Sequence, residues 1–345
     1  MNTEEHPFAS YIRTIGKGKT GRRSLTQQEA HAAMTMILND EVESIQLGAF
    51  LMVLRVKEES AEEIAGFVTA CREFINTSMA AIQHNLAKPS VDLDWSSYAG
   101  KKRQPPWFLL AALTLAQSGY KIFMHGASGH TANRLYTEEV LAELNIDIAS
   151  DWQQCSAQLQ ANNFSYMPIQ HLCPPLHQII ELRPFLGLRS PVHTLARLLN
   201  PLAANATLQS VFHPSYIETH HRAAMLLGEK NAAVFKGEGG EVEYRPHADV
   251  SVQFIAQQRS ESYTLPRTAP PPNDAEVSAS ALRELWRADN TDLNDSVSNP
   301  QKNHAMQAII GTAAIALKTM GIEQNIDQAK QRALQYWNNR NRDYI

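Results

Sequence analysis

Between Ser60 and Ile75 the apolar residues Ile64, Phe67, Val68, Cys71, Phe74 and Ile75 recur at three- and four-residue spacing, the period that lines up one buried helix face. Two capping boxes, Thr26-Gln-Gln-Glu29 and Ser60-Ala-Glu-Glu63, each predict a helix start. In both, the hydroxyl accepts from the backbone N–H three residues on and the Glu reaches back. The first seventy or so residues therefore read as an all-helical lobe. From about Ser90 the pattern changes to short β-like runs: Val91–Trp95, Tyr120–Met124, Ser165–Ile169, Gln209–Phe212 and Ala232–Phe235. Helix-like stretches Pro106–Ser118, Thr131–Leu144 and Ser215–Leu227 lie between them, and that alternation predicts a larger α/β lobe. Further on, Leu265–Pro272 reads as a proline-rich connector and Asp289–Ser298 as a polar loop. Asn299 before Pro300 forms an N-cap and first-turn pair for a helix through Met320, and a last helix starts near Asp327.

With 345 residues, 43% hydrophobic and 19% charged, the chain can bury a substantial core and is not a disordered polymer. The net charge of -4 supplies no global attraction to nucleic acid or acidic membrane, so binding to either needs a local basic patch. Cys71, Cys155 and Cys173 stand far apart in no zinc or redox spacing and read as free thiols. The histidines, His220-His221 included, show no metal-binding spacing and read as surface residues; no cofactor or metal is expected. Met1–Thr20 has no apolar run that would make a secretory signal, and the apolar stretch Trp107–Ala116 is too short to span a bilayer. A cytoplasmic location with no membrane partner is the expectation.

Leu25–Ala30, Gln46-Leu-Gly-Ala-Phe-Leu-Met-Val-Leu-Arg-Val-Lys57 and Glu62-Glu-Ile-Ala-Gly66 resemble the N-terminal helical domain of anthranilate phosphoribosyltransferases and pyrimidine nucleoside phosphorylases. His125-Gly126, Val140-Leu-Ala-Glu-Leu144, Leu186-Gly-Leu-Arg189 and Leu199-Asn-Pro-Leu202 follow in the order of that family's α/β domain. The resemblance runs over roughly residues 8–340 and implies a nucleoside phosphorylase/phosphoribosyltransferase-like fold. A helical domain, 1–77, joined by a returning segment near 174–189, would precede an α/β domain, 88–345, with a central mixed sheet.

The family's chemistry is poorly represented. Where the resemblance implies a GTGGD loop for pyrophosphate, the chain reads Ser96-Ser-Tyr-Ala-Gly-Lys-Lys-Arg103. Pro105-Pro-Trp-Phe108 replaces the hydroxyl-bearing turn that follows it. Met124-His-Gly-Ala-Ser128 keeps only His125 and Gly126 of KHGNR, Cys173 stands at the acceptor-site histidine, and Val242-Glu243 stands at the magnesium-carrying DE pair. His125, Gly126 and Cys173 are thus the remnants of a substrate site. Val192–Leu198 and Ser210–Tyr216 resemble a YbiB-like branch of the family, which implies nucleic-acid binding, a homodimer and no anthranilate transfer.

Lys101, Lys102 and Arg103 read either as a phosphate clamp or as a solvated loop. Arg183, Arg189 and Arg197 read either as phosphate contacts or as surface ion-pair partners. The cluster Lys17, Lys19, Arg22 and Arg23 reads as a solvated turn, and Gly237-Glu-Gly-Gly-Glu241 as a turn after a strand. Trp95, Tyr98, Trp107 and Phe108 could offer stacking faces to bases, but aromatic residues at a sheet edge normally pack inward. The favoured reading is a protein without a working anthranilate or phosphoribosyl pyrophosphate site, binding single-stranded or structured DNA or RNA without sequence preference through a basic groove. The alternative is a phosphoribosyl or nucleoside transferase with another acceptor, its leaving group neutralised by the basic loop.

Overall fold

The computed structural model describes residues 5–82, 88–274, 277–289 and 299–345; the predicted polar loop, apart from Asp289, lies outside them. The N-terminal lobe consists of α1 (Ala9–Gly16), α2 (Gly18–Gly21), α3 (Gln27–Leu38), α4 (Ser44–Lys57) and α5 (Ala61–Ile82). Both predicted capping boxes are formed: Thr26 Oγ1 accepts from Glu29 N, and Ser60 Oγ accepts from Glu63 N at 3.2 Å. Glu63 does more than cap. Its buried carboxylate also accepts from Leu25 N at 2.9 Å and from Lys57 Nζ at 2.7 Å, so one side chain fastens three helices. α3 and α5 approach so closely at Gly66 that a Cβ there would lie 2.2 Å from Gln27 O, leaving room for glycine alone.

The second lobe runs β1 (Leu93–Ser97), α6 (Trp107–Gln117), β2 (Ile122–Gly126), α7 (Thr137–Glu143), α8 (Trp152–Asn162) and β3 (Phe164–Pro168). Four short helices follow, α9 (Ile169–Leu172), α10 (Pro174–Glu181), α11 (Arg183–Leu186) and α12 (Val192–Leu195). Next come β4 (Ala206–Val211), α13 (Ile217–Leu226), β5 (Asn231–Lys236), β6 (Val250–Ala256) and β7 (Arg259–Leu265). The chain closes with α14 (Ala279–Arg287), α15 (Pro300–Thr319) and α16 (Ile326–Asn338). The strands form one mixed sheet of seven in the order β3-β2-β1-β4-β5-β6-β7; the first five are parallel, and β6 and β7 are antiparallel.

Strands β1 to β4 are buried on both faces, as parallel strands covered by helices are. Alternate residues divide between two cores: Ile122 and Met124 of β2 face α6 and α15, whereas Phe123 faces the core shared with the helical lobe. Leu176, Ile179 and Ile180 of α10 join that second core beside Phe50 and Phe67. A polar staple joins the lobes as well. Arg72 of α5 donates to Leu199 O at 2.7 Å and Leu198 O at 2.8 Å and is ion-paired with Glu229.

Two expectations are corrected. The helix predicted from Thr131 begins only at Thr137, because Leu135 is drawn into a two-way backbone pairing with Lys101 (2.8 and 2.9 Å) and cannot be helical. The β6–β7 hairpin had no counterpart in the expected strands. Its two turn residues are Gln257 and Gln258, at φ 50° and 62°, where hairpins normally show Asn-Gly.

Candidate phosphate-binding cleft

The loop after β1 and the segment after β5 meet at the C-terminal ends of the parallel strands. Lys101, expected to be free for phosphate, is 2% exposed, and its Nζ donates to Glu243 Oε1 at 2.5 Å. Glu243 Oε2 accepts from Phe108 N at 2.9 Å, in the first turn of α6. Glu241 supplies a second internal anion. Its Oε1 accepts from the successive amides of Ala99 and Gly100, each at 2.6 Å, with Gly100 at φ +67°, an arrangement of the kind that holds anions. The positions at which backbone amides could receive a phosphate are therefore filled by the protein's own carboxylates. Burial pushes Glu243 up to about 7, against the opposing pull of Lys101.

This donor set does not fit magnesium. Glu243 already has both oxygens engaged, and the neighbouring position is the buried, apolar Val242. The remaining family-like residues are structural too. His125 is buried, with Nδ1 2.7 Å from Tyr98 Oη and Nε2 3.2 Å from Asp94 Oδ2, so neither nitrogen is left for a substrate. A Cβ at Gly126 would lie 2.1 Å from Ser97 O, which makes this glycine a packing requirement between β1 and β2. Cys173 is buried in the shared core, which pushes its thiol up to about 12. His125 and Cys173, read from the sequence with Gly126 as remnants of a substrate site, have their side chains in the interior.

The cationic surface lies beside this closed corner, between the lobes. A cavity of about 390 Å³ is lined by Arg55 of α4 together with Arg134, Arg183, Arg189 and Arg197, and by no carboxylate among the described residues. Each guanidinium is anchored by neutral acceptors. Arg134 donates to Ala99 O (3.0 Å) and Gly100 O (2.9 Å), and Arg197 to Ser210 O and His193 O (both 3.0 Å). Arg189 donates to Thr131 Oγ1 (3.0 Å), and Arg183 to the same hydroxyl and to His130 O. Arg55 reaches Tyr216 Oη at 3.4 Å. Burial, then the charges of Arg134, Arg197 and Arg183, lower the pKa of Arg189. Three buried polar atoms on the wall, Ser190 Oγ, His193 Nε2 and His220 Nδ1, have no hydrogen-bond partner among the described residues.

A second cavity of about 360 Å³ shares Arg134 and Phe212 with the first and adds Lys101, Lys102, Arg103, Lys236 and Arg245, together with one carboxylate, Glu238, which is ion-paired with Arg245 at 3.4 Å. The structure thus brings Lys102, Arg103, Arg183, Arg189 and Arg197 to one cleft and removes Lys101 from the free cations. Sequence reasoning missed Arg55, Arg134, Lys236 and Arg245, which are single cations on four separate segments. Arg134 carried the one usable signal, lying in the polar, glycine-containing stretch that follows His125-Gly126. Of the N-terminal cluster, Arg23 is ion-paired with Glu29 and does not line the cleft; the side chain of Lys19 lies outside the described atoms.

Trp95, Tyr98, Trp107 and Phe108 are buried and offer no stacking face. Gly237–Glu241 is a turn after β5, as expected for a segment with two carboxylates. His220 and His221, expected at the surface, are buried because α13 turns them inward with Ala223 and Ala224.

The buried ion pair and the buried imidazoles each have a measurable consequence. Lys101→Ala should destabilise the protein by about 3–5 kcal/mol, because it strands a buried carboxylate, whereas Lys102→Ala and Arg103→Ala should each change stability by less than about 0.5 kcal/mol. Urea midpoints of the three variants check this, and a Lys101→Ala midpoint equal to wild type would show that the pair is dispensable. In acid, the histidines matter. Burial pushes His193 and His220 down to about 3, below the ~6.5 of an unfolded chain, so the unfolded state takes up protons that the folded state refuses. Stability is fully present above pH ~6.5 and is lost as pH falls below it, on the order of 1 kcal/mol per pH unit for each ring. Urea midpoints at pH 7 and pH 5 should therefore differ, and a His193→Asn, His220→Asn variant should narrow the gap.

Known proteins share this architecture. A model of a glycosyl transferase family helical bundle domain matches residues 9–75, and one of a glycosyl transferase family a/b domain matches residues 108–339. The uncharacterized protein YbiB of Escherichia coli is 29% identical over 253 residues, which is 73% of this chain and 77% of the relative. An anthranilate phosphoribosyltransferase of Haloarcula marismortui is 24% identical over 93% of this chain and 94% of its own. The crystal structure of anthranilate phosphoribosyltransferase from Thermus thermophilus superimposes with a TM-score of 0.74 at 20% identity, covering 97% of this chain and 95% of that one. The Saccharomyces cerevisiae enzyme in complex with PRPP and Mg does so with a TM-score of 0.74 at 17% identity, covering 96% and 94%. With a helical bundle domain and an a/b domain that both match, the chain belongs to the anthranilate phosphoribosyltransferase-like glycosyl transferase family.

Proposed function

We propose that this protein is a cytoplasmic homodimer that binds single-stranded or structured nucleic acid through its backbone phosphates, without sequence preference and without anthranilate transfer. One observation carries the reading: five arginines face one cavity with no carboxylate among the described lining residues. Guanidinium groups held close together repel one another and gain most from an anion that all of them can reach. A chain of phosphates supplies such an anion and releases counterions as it binds. Phosphate contacts alone carry no sequence information, and among the described residues no helix or zinc module positioned to read base edges accompanies them. The cleft is local, which reconciles polyanion binding with a net charge of -4.

The alternative, a transferase with another acceptor, draws on the yeast relative solved with PRPP and Mg. Against it stand Glu241 on the Ala99 and Gly100 amides and Glu243 on the Phe108 amide, both of which would repel a diphosphate. Homodimerisation has support from α4. Ile45 (82% exposed) and Val56 (76% exposed) lie with Ala49 and Met52 at i, i+4, i+7 and i+11, an apolar stripe whose two ends are open to solvent.

Replacing Arg183 and Arg189 by Ala should weaken binding to unrelated oligonucleotides nearly equally. It should also lower the slope of log affinity against log salt by about 0.7 for each single-strand phosphate that the protein ceases to neutralise. Anisotropy titrations at several salt concentrations check this; a folded variant with wild-type affinity and slope would remove the cleft from consideration. In the same samples, calorimetry should detect no phosphoribosyl pyrophosphate binding with magnesium, and micromolar magnesium-dependent binding would favour the transferase. For the dimer, Val56→Glu should reduce the light-scattering mass from twice the 38.5 kDa chain to a single chain. A wild-type protein already at the single-chain mass overturns that part of the proposal.

A further inference from the structure

β4 is buried throughout, yet the residue immediately after it, Phe212, is 48% exposed. Phe212 is one of the two residues, with Arg134, that line both cavities, so it stands where the two halves of the cationic cleft join. The ring is supported from one side. A Cβ built on Gly240, which sits at φ +90°, would lie 3.3 Å from Phe212 Cδ2, so the phenyl group rests against a residue that carries no side chain. The His213 ring meets it edge-on, with centroids 4.9 Å apart and planes at 73°. A flat apolar ring open to solvent among arginines offers a face to a ligand that is both flat and anionic.

Resting on the nucleic-acid reading above, we propose that Phe212 is a stacking platform for an unpaired base, and that the cleft therefore prefers single strands to duplex of the same length. The chemistry of the strand fits the order of groups along the cleft. Arg183, Arg189 and Arg197 on one side and Lys102, Arg103 and Lys236 on the other can take successive phosphates, while the base between them turns onto the ring. In a duplex both faces of every internal base are covered by its neighbours, so an isolated phenyl group has nothing to stack on unless a base leaves the helix. An acidic peptide would satisfy the arginines but present no flat face, and an acyl chain would find a wall of guanidinium groups. The buried aromatic residues do not compete for this role, since Trp95, Tyr98, Trp107 and Phe108 are at most 8% exposed.

The test uses the full chain, a labelled oligothymidylate and a blunt duplex of equal length. Phe212→Ala should weaken single-strand binding by about 5- to 100-fold, leave duplex binding unchanged, and leave the salt slope of both unchanged because every phosphate keeps its cation. Phe212→Trp should restore or tighten single-strand binding, and an abasic strand should bind wild type only as well as the intact strand binds Phe212→Ala. Folding of each variant is read from its urea midpoint, which should stay at wild type for an exposed residue. Wild-type binding that depends on Arg183 and Arg189 but is indifferent to Phe212 overturns the stacking assignment alone. Equal weakening on single strand and duplex with a reduced slope would also overturn it, by showing that the substitution displaced the arginines. A wild-type protein that binds neither nucleic acid overturns this inference together with the reading it rests on.

Discussion

The buried Lys101–Glu243 pair, with Glu241 beside it, is the constraint on which the character of the site depends. It joins the loop after β1 to the segment after β5, and both partners are at most 2% exposed. A charge in such a place is tolerated only when it is paired and its remaining lone pairs are satisfied. Here Glu243 has Lys101 on one oxygen and the Phe108 amide on the other, while Glu241 takes the amides of Ala99 and Gly100 on Oε1 and leaves Oε2 without a hydrogen-bond partner among the described residues. The backbone pairing of Lys101 with Leu135 extends the connection to the approach to α7. The loop is thus held from three directions without any ligand, and the amides that could close on a phosphate are already occupied.

Closing that corner changes what the neighbouring arginines can do. Arg134 and Arg197 donate to the carbonyls of Ala99, Gly100, Ser210 and Gly240, and the charge of Glu241 acts on Arg197, so the internal carboxylates order the scaffold and compensate part of the charge at that one guanidinium. His130 and His193 adjoin them. Burial and the nearby arginines push these rings down to about 4 and about 3, which keeps them neutral at physiological pH and limits the repulsion in the cleft. The lobes that form the two walls are fixed to each other by a shared apolar core and by Arg72, which reaches across to Leu198, Leu199 and Glu229. A cleft with such walls is preorganised, and preorganisation reduces the ordering cost of binding.

Much of the fold was legible from local pattern. The two capping boxes, the 3.6-residue period of α5 and the alternation of short apolar runs with helical stretches depend on neighbours within one or two turns, and all reappear in the structure. Where local pattern failed, a long-range contact had overridden it. Leu135 pairs with Lys101 instead of joining a helix, and the β6–β7 turn uses Gln-Gln because strand pairing, not turn preference, holds it.

For the site, the sequence determined which residue types were present: a single glycine among residues 96–103, Val242 beside Glu243, and cations at 101–103, 183, 189 and 197. It could not determine which of those cations are free. Lys101 and Lys102 are adjacent and chemically identical, yet one is buried against Glu243, 142 residues away, and the other is exposed. Charge compensation acts through space over a few ångströms, and only the folded chain sets those distances. The same reason places Arg55 and Arg134 beside Arg189, turns His220 inward and leaves Phe212 open at the junction of the two cavities. Residue identity decided what chemistry was available, and tertiary packing decided which of it faces a ligand.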